Sequence, residues 1–147
     1  MILQGKNQLQ NFDKSAFYTV MATGKMKEID KELVLINSVA ISEKDAYEGA
    51  LMMRKSGLIK TPAEKLRLFK KGRIKLETAL LKDSSNGEYH FLRLTIQEHA
   101  PKIVKYSAEL ERDKQFIIKC FKSLSPDVQQ IIFDYCKKSK ILNQKNF

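Results

Sequence analysis

From residue 12 onward the apolar side chains return every three or four positions, the spacing that lines one face of an α-helix. Seven segments follow from that period: 12–22, 25–38, 43–55, 62–82, 86–99, 104–123 and 127–140. In the fourth, Leu66, Phe69, Leu76, Ala79 and Leu80 share a face on which Gly72 allows a neighbour to come close. Tyr106, Leu110, Ile117, Cys120, Phe121 and Leu124 form the corresponding face of the sixth, and Val128, Ile131, Ile132 and Tyr135 that of the seventh. The β-branched run "ELVLINSVAI", Glu32 to Ile41, is the one stretch that competes as a strand.

Capping residues punctuate this pattern. "TPAE" at Thr61 to Glu64 offers a capping hydroxyl, a first-turn proline and a carboxylate three residues on. "SNGE" at Ser85 to Glu88 has the capping-box spacing, "SEKD" at Ser42 to Asp45 a weaker form of it, and "SPD" at Ser125 to Asp127 gives another start. Gly57 reads as a left-handed C-terminal cap, and Pro101 ends the run after Ala100. The expected fold is all-α, built from antiparallel helical hairpins of about seven helices in a repeat-like or bundle arrangement.

A length of 147 residues is that of one domain able to enclose a core, so 1–147 is expected to form one unit with loose ends at 1–11 and 141–147. No apolar run is long enough to span a bilayer, and "MILQGKNQLQ" lacks the apolar centre of a secretory signal. A cytoplasmic location is expected of the chain as written, and a secreted or periplasmic one if a signal has been removed.

The corner "LETALLKDSSN" resembles the end of a tetratricopeptide-type repeat: Ala79 matches the small residue, Asp83 the acid and Asn86 the asparagine, with Ser84 where that family has proline. Upstream, "AYEGALMM" at Ala46 to Met53 would be the first helix of the repeat, with Gly49 and Ala50 as small contact positions. The helix from Pro62 to Lys82 is longer than such a repeat allows, and no second copy follows at the same period. Over 43–96 the resemblance implies a helical hairpin that binds partners, and no catalytic residue.

Charge adds a second possibility. The net charge is +10, and the window from Lys60 to Lys82 holds eight basic and two acidic residues. Arg67, Lys70, Lys71 and Lys75 fall on the side opposite the apolar face, where a nucleic-acid backbone could lie. No aromatic side chain stands among them for bases to stack on, so a solvated helix face competes with this reading.

Catalytic and metal-binding patterns are sparse. Cys120 and Cys136 are placed too far apart along a hairpin to pair and read as free, half-buried residues. His90 and His99 point to opposite faces of one helix and cannot share an ion. Glu109 and Asp113 form an i,i+4 carboxylate pair that could hold a cation, although Arg112 or Lys114 would ordinarily neutralise it at the surface. No catalytic residue, metal or cofactor is expected.

The fifth segment carries the constellation of most interest. Tyr89, Leu92, Ile96 and His99 make one apolar side and Phe91, Leu94 and Thr95 another, which suggests a helix between two neighbours. His90, Arg93 and Gln97 form a polar stripe suited to a carboxylate, phosphate or peptide carbonyl of a partner. The competing reading has Arg93 fastening helices by pairing with an acid such as Glu77. The sequence therefore leads to a noncatalytic module that binds a protein or peptide, with a basic nucleic-acid-binding protein as the alternative.

Overall fold

A computed structural model describes residues 12–147, and every described element is helical. Seven α-helices are present among these residues: α1 (Lys14–Thr23), α2 (Met26–Ser38), α3 (Lys44–Ser56), α4 (Pro62–Lys82), α5 (Gly87–His99), α6 (Leu110–Cys120) and α7 (Pro126–Cys136). Single 3-10 turns lie at Lys102–Val104, Phe121–Ser123 and Gln144–Asn146. Periodicity placed all seven helices, and residues 1–11, expected as a loose end, lie outside the described residues. The strand candidate resolves as helix to Ser38, because Ile29, Glu32 and Ile36 recur at helical spacing and are buried.

Several boundaries depart from the expected ones for local reasons. The sixth helix begins at Leu110, not 104: Pro101 is extended and Lys105 takes a left-handed conformation (φ 51°), which interrupts the helix before it can propagate. Asn86, not Ser85, caps α5, its side chain accepting from the Tyr89 N–H at 3.1 Å. Glu43 stands at the start of α3 without a capping side chain, since Ser42 donates instead to the Glu43 carboxylate. Ser125 likewise donates to Asp127 and does not cap α7. Gly57 is right-handed (φ −62°), and the left-handed cap is Gly24 (φ 62°), whose N–H donates to Val20 O.

Contacts gather into two compact units, one ending at Ala79 and one from Leu80 to Phe147. In the first, the Phe17 and Tyr47 rings lie 4.4 Å apart among buried Ile29, Ile36 and Leu51. The Arg54 side chain lies over Gly24, and its Nε donates to Met21 O at 2.8 Å, so α1 and α3 are tied at that end. α3 meets α4 at two glycines: a Cβ added to Gly49 would lie 2.6 Å from Gly72 O. The small positions read from the sequence are therefore a backbone-to-backbone crossing. Phe69, Leu76 and Ala79 face inward from α4 as expected, whereas Leu66 is 39% exposed and belongs to the outer side.

In the second unit α5 is buried continuously from Gly87 to Leu94 and lies against α6. Gly87 has no room for a side chain, since a Cβ there would sit 2.5 Å from Cys120 Sγ. Val128, Ile132 and Cys136 turn the inner face of α7 into the same core. The last residues, expected to be a loose tail, carry packed side chains: Leu142 is buried, and the Phe147 ring stacks on Phe121 at 4.3 Å.

Candidate functional site

The polar stripe of α5 points inward, onto one carboxylate. His90, Arg93 and Gln97 recur at i, i+3 and i+7, which puts them on one side of the helix opposite Asp113 of α6. Asp113 is 0% exposed. Its Oδ1 accepts from His90 Nδ1 at 2.8 Å and from Arg93 Nη2 at 2.8 Å. Its Oδ2 accepts from Arg93 Nε at 2.8 Å and from Gln97 Nε2 at 2.8 Å. The guanidinium thus grips the carboxylate with two parallel donors, the geometry that makes arginine the usual partner of a buried acid.

The surrounding residues extend this node. His90 Nε2 lies 2.7 Å from Ser84 O, and its ring stacks on Phe116 at 3.9 Å. Both His90 nitrogens face acceptors, so the ring donates at both only when each carries a hydrogen. Gln97 Oε1 accepts the Glu109 N–H at 2.9 Å, holding the chain where α6 begins. Burial by itself would raise the Asp113 pKa, but hydrogen bonds from His90 and Arg93, together with their charge, outweigh it and hold the carboxyl below its usual range.

This geometry corrects two expectations. His90, Arg93 and Gln97 are buried, and all three bind Asp113, so the stripe fastens α5 to α6 and presents no open partner-binding edge. Arg93 thus fastens to an acid 20 residues on, Asp113. Nor do Glu109 and Asp113 act as a surface pair: Glu109 pairs with Arg112 at 3.1 Å while Asp113 turns inside. A signal for this was present, because Asp113 lies within about 60° of Leu110 and Ile117 on the helical wheel, an acid on an apolar face.

A second carboxylate closes the C-terminal part of the chain. Glu98 Oε1 accepts from Tyr135 Oη and Ser139 Oγ, each at 2.7 Å, and Oε2 from the Lys140 N–H at 2.7 Å. Burial works to raise its pKa, yet these three donors bring it below the usual range. Burial, reinforced by Glu98, drives the Tyr135 hydroxyl well above its ordinary pKa. A shallow cleft beside this network is lined by His99, Leu110, Lys138 and Ile141. Burial pushes the thiols of Cys120 and Cys136 up, away from the thiolate a nucleophile needs. Among the described residues no three His, Cys, Asp or Glu side chains come together as a metal site.

The outward side of α4 is different in kind. Arg67, Lys70 and Lys71 are exposed there and have no ion pair among the described residues, whereas Lys75 is bound to Glu48 at 2.8 Å. The structure thus keeps three of the four expected cations on an open face and removes the fourth. Between them stand two apolar residues that periodicity did not single out as a surface feature, Leu66 at 39% and Ile74 at 56% exposure. At about 100° per residue, Leu66, Lys70, Ile74, Arg67 and Lys71 follow one another across about 140° of the helix surface.

No family model, curated protein or solved structure matches the chain. Among the described residues no helix is long and apolar enough to cross a membrane.

Proposed function

We propose that the chain is a noncatalytic helical interaction module that holds a protein partner on the outward face of α4. The observation that carries this reading is Ile74, 56% exposed and set among Arg67, Lys70 and Lys71, cations without an ion pair among the described residues. An apolar side chain in that position gains free energy when covered, and the cations select what covers it. The partner-binding hairpin that 43–96 resembles points the same way. A noncatalytic role is supported by Asp113 and Glu98, whose carboxylates are both taken up by internal donors.

Nucleic acid is the second reading, favoured by the same three exposed cations. A phosphate backbone would satisfy Arg67, Lys70 and Lys71 but offers nothing apolar to Leu66 and Ile74, which is why a protein partner ranks first. The test is recovery of partners from the native source by the chain and by two variants. Leu66→Glu/Ile74→Glu should lose the partner, while Val34→Glu, on an exposed position of α2, should keep it. Equal recovery by all three would end the proposal, and recovery that disappears after nuclease treatment would transfer it to nucleic acid.

A further inference from the structure

Resting on that reading, we infer that the segment seated on α4 is an amphipathic helix whose apolar stripe is bordered by Asp and Glu. Leu66, Lys70 and Ile74 stand at i, i+4 and i+8 and make one continuous ridge about 12 Å long on the helix surface. Ala63, Arg67 and Lys71 make the parallel ridge beside it. The groove between two such rows is the shape into which the i±4 ridge of another helix fits. Two to three turns of a partner would span it.

Other modes of peptide recognition lack their requirements here. Strand addition needs an open sheet edge, and no strand exists among the described residues. A polyproline segment needs an aromatic-lined groove, but Phe69, the aromatic residue of α4, is buried on the opposite side. Charge then sets the border of the incoming helix. Arg67, Lys70 and Lys71 have no acid of their own among the described residues, so carboxylates flanking the partner's apolar stripe would neutralise them. The face itself is held firmly, because the Gly49–Gly72 crossing and the Lys75–Glu48 ion pair fix the other side of α4 to α3. Little ordering is left to be done on this side when the partner arrives.

The test uses the full chain with p-benzoylphenylalanine in place of Ala63, an exposed residue on the same side that is neither apolar anchor nor cation. After irradiation in extract of the native source, the attached segment is sequenced by mass spectrometry and synthesised as a peptide. The inference expects a segment with apolar residues three and four apart and Asp or Glu on their flanks. Its affinity should fall at least tenfold with Ile74→Ser, and at least tenfold with Arg67→Gln/Lys70→Gln/Lys71→Gln, circular dichroism showing each variant still helical. An attached protein segment without flanking acids, or one bound equally well by the triple variant, overturns this inference and leaves the interaction module standing. Adducts only to lipid or nucleic acid, or no adduct, overturn both.

Discussion

Gly49 and Gly72 face each other across the α3–α4 crossing so closely that a Cβ on either would lie 2.6 Å from the other's carbonyl oxygen. The obstacle is backbone, which cannot swing aside as a flexible side chain can. Glycine inside a helix ordinarily costs about 1 kcal/mol relative to alanine. Here that preference should reverse, with Gly49→Ala and Gly72→Ala each destabilising the protein by about 1–3 kcal/mol through forced separation of the helices. Urea unfolding measures this, and a variant more stable than the parent would show that the crossing has slack.

Arg93 and Asp113 give a second expectation. Arg93→Met leaves Asp113 buried with reduced compensation and should cost about 3–5 kcal/mol. Adding Asp113→Leu should recover most of that loss, because the charge left behind is removed along with its partner. A double variant as unstable as the sum of the two single changes would mean the node has no coupling of this kind.

The same acid predicts a dependence on pH. Its folded pKa lies below the unfolded one, so its contribution is present above about pH 4 and lost as pH falls through the folded value. Asp113→Asn should therefore be less stable than the parent at neutral pH, with the gap narrowing in acid. Chemical denaturation at a series of pH values reads this directly, and a gap constant from neutral to strongly acidic pH would contradict it.

Glu32 should behave in the opposite sense. It is buried on α2, its Oε2 has no hydrogen-bond partner among the described residues, and burial, then the nearby Asp13, raise its pKa. Its neutral form is the stable one: the contribution is complete below the unfolded value near about 4.3 and declines as pH rises through the folded value. Glu32→Gln should gain on the parent between about pH 4 and pH 7. A pH-independent difference over that range would assign the carboxylate a partner.

Leu142 tests the C-terminal end. It is 1% exposed, and Leu142→Ala should cost about 2–5 kcal/mol in thermal or urea unfolding. A change below about 0.5 kcal/mol, typical of surface sites, would return the tail to solvent.

What the chain disclosed in advance follows the range of the interactions involved. Helix α4 was readable because Pro62 starts it and its apolar face repeats locally, and the Gly72 contact because a small residue on such a face has few other uses. Asp113 as a partner of Arg93 was hidden because it is 20 residues away and sits within "ELERD", which looks like solvated surface unless the wheel is drawn from Ile117. The ordered tail was hidden for a similar reason: Phe147 has no apolar period around it, and only the fold brings it onto Phe121. On α4 the cations were visible, but the loss of Lys75 to Glu48 needed the close approach of α3 that two glycines permit.

Asp113 also determines which parts of the chain can loosen separately. Through His90 it reaches the Ser84 carbonyl before α5, and through Gln97 it reaches the Glu109 amide where α6 starts. Those two places are 25 residues apart, yet neither can be released without disturbing a ligand of the same carboxylate. Amide hydrogen exchange should therefore find the first turn of α5 and the first turn of α6 opening together with a common free energy, as one cooperative unit and not as two fraying helix ends.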